Sequence, residues 1–245
     1  LINLVRDPPR GATEALSSQD DRAPLGRVLL QLLRVRTLAT SILSQALSFF
    51  VLGGVSFWIP TYMSIHFQQN QARAGILSGA VIVVGGGFGT VAGGYLADML
   101  LRRGIPSARL LVPAAGFLAS APFIAGALQS DRLVSFLILM CFATAMIQSS
   151  SGPLTALSQD VIVPARRARA VAISLLLTHL LGDAFAPFAI GGLSDVLGGL
   201  QQALLVASPL SVIIAAALGF YGCQFVGRDR ERMLGEAEIS TARSD

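Results

Sequence analysis

Residues 170–194 read Ala170-Val-Ala-Ile-Ser-Leu-Leu-Leu-Thr-His-Leu-Leu-Gly-Asp183-Ala-Phe-Ala-Pro-Phe-Ala-Ile-Gly-Gly-Leu-Ser194. Arg169 and Asp195 bound this apolar run, and Asp183 near its middle is the only charged residue inside it. A helix of about 20 apolar residues crosses the hydrocarbon core of a bilayer. The run therefore predicts a membrane-spanning helix that carries a carboxyl group near mid-depth.

Five more stretches lack charged residues and are long enough to cross a bilayer. They are 37–72, 74–97, 110–130, 133–159 and 196–227. The whole chain is 53% apolar and 13% charged, which is typical of a polytopic membrane protein. We predict an all-α fold, with a bundle of six transmembrane helices over 37–226.

The basic residues indicate which ends of the helices face the cytoplasm. All 18 are arginines, and most lie in the alternate segments 1–36, 102–109, 166–169 and 228–243. By the positive-inside rule these segments are cytoplasmic, in an integral protein that we expect in a bacterial inner membrane. The net charge of +4 is therefore a sign of topology, and we expect no nucleic-acid partner.

Outside the bundle, 1–36 is predicted to be a cytoplasmic linker and 227–245 a disordered cytoplasmic tail. Residues 24–36 mix leucines with arginines, which favours a helix at the membrane surface or an extension of the first span. The chain begins at Leu1 without a signal peptide, so we expect a piece of a longer protein. Cys141 and Cys223 lie in apolar runs, so no disulfide framework is implied, and we expect no metal site or cofactor.

Small and aromatic residues predict how some spans pack. Gly85, Gly89 and Gly93 form a row at four-residue spacing in the second span, which favours close approach of a neighbour over a hinge role. The first span ends in the aromatic residues Phe57, Trp58 and Tyr62, typical of a belt at the membrane interface. The third and sixth spans carry almost no polar side chains, which predicts peripheral positions, facing lipid for the third.

The fifth span has the strongest candidate site. His179 and Asp183 are at i,i+4 and so share a helix face, and Pro187 has no N–H to donate to the Asp183 carbonyl. Ionisable groups within membrane spans are rare and usually functional. We predict a site for a proton or a polar substrate group. The alternative is a neutral carboxyl that holds the bundle together.

Polar residues in two other spans are further candidates for substrate binding. They are Gln148, Ser149, Ser151 and Thr155 in the fourth span, and Gln45 and Ser48 in the first. Thr37, Ser41 and Ser44 continue the row of the first span, and Pro153 opens the backbone of the fourth. The alternative is that the hydroxyl groups bond their own helices.

The loop after the second span carries a known motif. Gly94-Tyr-Leu-Ala-Asp98-Met-Leu-Leu-Arg102-Arg103 resembles the G-x-L-A-D-x-x-x-R-R loop of the major facilitator superfamily, although it departs from the fuller motif at Met99 and Leu101. The resemblance implies that these six helices correspond to helices seven to twelve of a twelve-helix transporter. An amino-terminal six-helix half would then be the partner of this chain.

Three segments in order make the resemblance narrower. They are Arg6-Asp-Pro-Pro-Arg-Gly11, Val163-Pro-Ala-Arg-Arg-Ala-Arg-Ala170 and His179-Leu-Leu-Gly-Asp-Ala-Phe-Ala-Pro187, which continues to Asp195. Their order resembles the spinster-like lipid transporters, whose eleventh helix carries a similar H-x-x-G-D-A pattern. In the superfamily the first, second, fourth and fifth helices of this half line the central cavity, and loop charges form a conformational latch. The matching latch residues here are Asp98, Arg102, Arg103 and Asp160.

These observations predict a secondary transporter rather than an enzyme. Its two halves would move by alternating access around a lysolipid or sphingoid-like amphiphile, with proton coupling through the fifth span. A drug or organic-acid transporter of the same superfamily is the main alternative. An enzyme using His179 and Asp183 as acid and base is a weaker one, because no metal spacing, nucleophile motif or second buried acid accompanies them. A receptor or scaffold is the third class.

Overall fold

Eight long α-helices make up the described part of the chain, which is residues 34–160, 167–229 and 231–232 of a computed structural model. For 159–160 and 167–170 only the backbone is described. The helices are α1 Arg36–His66, α2 Gln71–Arg102, α3 Ala108–Leu128, α4 Leu133–Gln148, α5 Ser151–Asp160, α6 Arg167–Leu181, α7 Ala186–Leu197 and α8 Leu200–Cys223. The expected linker and surface helix at 1–33 lie outside the described residues.

These helices form six segments that are long and apolar enough to cross a membrane. α4 and α5 together make the fourth span, and α6 and α7 make the fifth. In hydrocarbon a helix satisfies its backbone hydrogen bonds within itself, so each charge-free run becomes a helix. The predicted all-α fold with six spans is confirmed.

Two spans are broken where the sequence places proline. α4 ends at Gln148 and α5 begins at Ser151, so Pro153 lies in the first turn of α5, where a missing N–H is tolerated. The fifth span opens over 182–185, and Pro187 is the second residue of α7. The breaks agree with the predicted proline effects, and the second one lies at Asp183.

The glycine row of α2 packs against α4, as predicted. A methyl group at Gly85 would lie 2.6 Å from the carbonyl oxygen of Cys141. Methyl groups at Gly89 and Gly93 would overlap the backbones of Ala145 and Ser149. The two helices therefore approach backbone to backbone, which only glycine allows at these three positions.

The prediction that the third span faces lipid is wrong for most of α3. In its most apolar stretch of 18 residues, 56% of the residues are buried inside the bundle, the largest share among the six spans. Small residues explain the burial, because a methyl group at Gly116 would meet the carbonyl of Met146 in α4, and Gly219 of α8 lies against Ala114. A lack of polar side chains is common to lipid-facing and protein-packed helices, so it could not distinguish them.

The polar row of α1 packs against α8 instead of facing an open cavity. Ser44 is fully buried, and its hydroxyl donates to the carbonyl of Ala215 at 2.7 Å. A methyl group at Gly222 would lie 2.7 Å from a side-chain carbon of Leu110 and would overlap Thr40, so α1, α3 and α8 meet closely there. Hydroxyl groups of this kind join helices in a membrane.

The expected aromatic belt at the end of α1 holds only for Phe57, which is exposed. Tyr62 is 3% exposed, and its hydroxyl donates to the carbonyl of Leu128 at the end of α3. Trp58 turns towards the fifth span, as described below. The Trp58 N–H and the Tyr62 hydroxyl each donate a hydrogen bond to a backbone carbonyl. These bonds offset the cost of placing a polar group away from water.

The expected disorder of the tail is wrong for its first residues. Residues 226–229 form a helical turn after α8. The Asp229 carboxylate accepts a hydrogen bond of 2.9 Å from the backbone N–H of Thr37, so this turn lies against the start of α1. Residues 233–245 lie outside the described part of the chain.

Candidate functional site

The break in the fifth span brings His179 and Asp183 together. His179 Nδ1 and Asp183 Oδ2 are 2.9 Å apart, within hydrogen-bonding distance. The backbone N–H of Ala184 donates to the His179 carbonyl at 3.0 Å, which closes a wider turn than that of an α-helix. The two side chains predicted to share a face are therefore directly bonded.

One side of this pair is covered by α1. The ring of Phe49 meets the imidazole of His179 edge to face, with centroids 4.9 Å apart and planes at 73°. A methyl group at Gly53 would lie 2.5 Å from Cβ of Asp183. Further along, Trp58 Nε1 donates to the carbonyl oxygen of Pro187 at 3.1 Å. Three positions of α1 thus contact the broken segment.

The other side of the pair is open in this six-helix half. The side chain of His179 is 50% exposed and that of Asp183 is 36% exposed. Large apolar side chains are exposed around them along the fifth span, namely Leu175, Leu176, Leu180, Leu181, Phe185 and Phe188. The pair is therefore a polar spot on an apolar open face, instead of a fully buried group.

This arrangement can bind a proton or a polar group. The imidazole and the carboxylate share one hydrogen bond through Nδ1, which leaves Nε2 and Oδ1 as the atoms that can meet a ligand. These atoms can form a hydrogen bond or exchange a proton with a group that arrives on the open side.

The predicted polar group of the fourth span lies at the α4–α5 break. The Ser151 hydroxyl points to Gln148 Oε1 at 3.4 Å, and the Thr155 hydroxyl bonds the Ser151 carbonyl at 2.7 Å. Ser149 bonds the carbonyl of Met146. No hydrogen bond joins this group to His179 or Asp183 among the described side chains. A shared substrate site stays a prediction.

The two candidates of the first span differ in position. Ser48 is buried, and its hydroxyl donates to the carbonyl of Gln45 within the same helix. Ser48 therefore does not reach the open face in this conformation. Gln45 is half-buried and lies one turn before Phe49, so it is on the side of α1 that contacts the fifth span.

Known proteins resemble this chain over most of its length. Protein spinster homolog 3 of Danio rerio is 30% identical over 80% of this chain and 42% of its own length. Protein spinster of Drosophila melanogaster is 27% identical over 80% of this chain and 34% of its own length. Protein spinster homolog 1 of Mus musculus is 30% identical over 93% of this chain and 45% of its own length.

The fold is also that of a solved transporter. It matches the crystal structure of a bacterial homologue of the human lysosomal transporter Spinster, in an inward-facing and unoccupied conformation, with a TM-score of 0.67 and 19% identity. The match covers 94% of this chain and 55% of that one. The chain is similar to the spinster proteins over most of its length, and its fold is that of one half of a major-facilitator-type transporter. The predicted family and half-transporter fold are confirmed.

Two further findings concern a second family and the length of the relatives. The sequence pattern of the Organic Anion Transporter Polypeptide family matches residues 9–126. The word transporter stands in the name of this family and in that of the solved bacterial homologue of Spinster. The chain spans less than half the length of the curated relatives it matches.

The predicted latch residues of the spinster-like chain lie at the arginine-rich end of the bundle. Asp98, Arg102 and Arg103 are exposed at the end of α2. Among the described side chains no ion pair joins Asp98 to either arginine. Asp160 ends α5, but its side chain lies outside the described part. The latch therefore stays a prediction.

Sequence reasoning missed the contribution of α1 to the spinster-like site. Phe49, Gly53 and Trp58 contact the fifth span, and of these the sequence singled out only Trp58, as part of an aromatic belt. Gly53 is followed by Gly54, whose added methyl group would overlap Ile190 of α7. The adjacent glycines Gly53 and Gly54 in the first span were the available signal that another helix approaches closely there.

Proposed function

We propose that this chain is the carboxy-terminal half of a secondary transporter that moves an amphiphile of the lysolipid or sphingoid class by alternating access. The observation that carries the proposal is the hydrogen-bonded pair of His179 and Asp183 on an apolar open face. A polar spot within an apolar surface matches a molecule with one polar end and one hydrocarbon end. The spinster names of the relatives support the transporter class.

The pair would give the transporter its proton dependence. A carboxylate near mid-membrane is costly unless it is protonated, paired or hydrated. When the imidazole is protonated, the pair is neutral and can be enclosed between two halves at lower cost. When it loses the proton, the net charge favours the open state. Proton binding would in this way bias the movement of the halves around the midplane site.

The test is transport by the full-length protein, containing both halves, in proteoliposomes. Uptake of a labelled lysophospholipid is measured with and without a pH gradient. We expect Asp183→Asn to lower uptake and to remove its response to the gradient. Asp195→Asn, an exposed acid at the end of the same span, is the matched control and should behave like the unchanged protein. An unchanged pH response in Asp183→Asn would refute the proton role.

An organic anion is the second candidate substrate. The match of residues 9–126 to the Organic Anion Transporter Polypeptide family favours it. Among the described residues the arginines lie at the ends of the helices and none lies near mid-span, so the cation that pairs with the anion would come from the other half. Competition of the labelled lysophospholipid by a water-soluble organic anion separates the two candidates, because only an anion transporter would be inhibited by it.

We also propose that the arginine-rich end faces the cytoplasm of a bacterial cell, which puts both ends of the chain inside. The support is the distribution of arginine, because 16 of the 18 lie in segments that alternate with the spans in the required order. This orientation is tested with the single substitutions Arg103→Cys and Arg132→Cys, whose thiols are labelled with a membrane-impermeant reagent. Only the second site should react in intact spheroplasts.

A further inference from the structure

The main chain of Asp183 lies directly against a glycine of the first span. A methyl group at Gly53 would lie 2.5 Å from Cβ, 2.6 Å from Cα and 3.1 Å from the carbonyl oxygen of Asp183. Ordinary contacts of such a carbon begin at 3.4 Å. Because two of the three atoms belong to the backbone, no rotation of a flexible side chain can relieve the overlap. Any side chain at Gly53 would have to displace Asp183 by nearly an ångström.

We propose that Gly53 is a positioning residue for the pair of His179 and Asp183, which rests on the function proposed above. By lacking a side chain, Gly53 lets Asp183 approach α1 and fixes the position from which its carboxylate reaches the imidazole. Gly53 itself touches neither the proton nor the substrate. It acts through Asp183.

Contacts on both sides of Gly53 prevent the broken segment from sliding away. At one end, Gly182 packs against the carbonyl oxygen of Ala46, to which an added methyl group would be 2.6 Å away. At the other end, Trp58 Nε1 holds the carbonyl of Pro187 at 3.1 Å. Because both ends are held, a side chain added at Gly53 would displace the residues of the break at 182–185, which include Asp183.

The partner of the carboxylate is held separately. The ring of His179 meets the ring of Phe49 edge to face, one turn before Gly53 on α1. This contact does not involve Asp183, so a shift of Asp183 changes the separation of its carboxylate from the imidazole. Nδ1 and Oδ2 are 2.9 Å apart, and two such atoms no longer form a hydrogen bond at a separation of about 3.6 Å. A movement of nearly an ångström is enough to break it.

Few other titratable groups can influence the pair from the elements packed around it. The residues that α1 presents to it, Ala46, Phe49 and Gly53, have no titratable atom. On α8 the titratable residues are Tyr221 and Cys223, in the last turn. On α7 Asp195 lies near the end of the helix, and on α5 the acid is Asp160, whose side chain is not described. A change in pH response after substitution of Gly53 thus reports on His179 and Asp183.

The test is a double-mutant cycle in the full-length transporter, with lysophospholipid uptake measured across a range of pH. Gly53→Ala should shift or flatten the pH profile in the same direction as Asp183→Asn. In Asp183→Asn, adding Gly53→Ala should change the profile no further, because the two substitutions remove one interaction. Gly192→Ala is the control, since a methyl group there meets nothing within 4 Å, and its profile should stay unchanged.

Each outcome decides between causes. If Asp183→Asn alters the profile and Gly53→Ala leaves it unchanged, the positioning role is overturned and the proposed function stands. If Asp183→Asn leaves it unchanged, the proposed proton role of the pair fails, and the positioning role fails with it. Effects that add in the double variant would assign Gly53 to general packing. If Gly53→Ala does not fold, Trp58→Phe replaces it in the cycle, and it must shift the profile in the same direction for the proposal to stand.

Discussion

The carboxylate of Asp229 accepts a hydrogen bond from the backbone N–H of Thr37, at the start of α1. The first N–H groups of a helix have no partner within the helix, and an anion near them is favoured by the helix dipole. We expect Asp229→Ala to cost about 1 kcal/mol of stability, as loss of a helix cap does. The measurement is the temperature of unfolding of the full-length protein in detergent.

Asp229→Asn is the informative companion, because its amide oxygen can still accept the bond although the charge is lost. We expect it to lower the unfolding temperature less than Asp229→Ala does. Arg36, whose guanidinium lies 5.2 Å from the ring centroid of Phe225, is a second contact at the same place. Equal unfolding temperatures in both variants and the unchanged protein would show that the tail does not hold α1.

The approach of α2 to α4 depends on glycine at three positions, and one of them has a matched control. A methyl group at Gly89 would overlap the backbone of Ala145, whereas one at Gly87 meets nothing within 4 Å. We expect Gly89→Ala to separate the two helices and cost about 1–3 kcal/mol, as overpacking does. Gly87→Ala should be neutral or slightly stabilising, because alanine favours the helix over glycine.

Thermal unfolding of the two variants side by side tests this difference, since both make the same chemical change two residues apart. A lower unfolding temperature is expected for Gly89→Ala alone. If Gly87→Ala were equally destabilised, the cause would be the loss of flexibility in α2, and the hinge role set aside above would be favoured instead.

The sequence predicted correctly those features of the helices that depend on single residues, namely where each span lies and where two of the spans break. Charged residues are rare in hydrocarbon, so the six spans followed directly from the charge-free runs. Proline lacks an N–H, and the breaks near Pro153 and Pro187 followed from that, although Pro60, Pro113, Pro122 and Pro209 lie inside unbroken helices. The burial of α3 did not, because an apolar helix can face lipid or protein equally well. The contact of Gly53 with Asp183 depends on the height at which two spans cross, which no local pattern contains.

Two helices that should carry the latch cross close to each other in the bundle. A methyl group at Gly152 of α5 would lie 3.8 Å from Cα of Gly94 of α2. From this crossing both helices continue towards the arginine-rich end. Arg102 is eight residues beyond Gly94, and Asp160 is eight residues beyond Gly152. At about 1.5 Å per residue, their Cα atoms lie at similar depth, about 12 Å past the crossing.

We therefore expect Asp160 to pair with Arg103 or its neighbour Arg102 in one access state of the full-length transporter. Arg103→Asp and Asp160→Arg should each lower lysophospholipid uptake, because each leaves two like charges at the ends of α2 and α5. The two substitutions together should restore much of the loss, since the attraction returns with its sign exchanged. Arg132→Asp, at the opposite end of the bundle, is the control and should leave uptake unchanged. A double variant as impaired as the single ones would mean that these charges mark topology and do not form a latch.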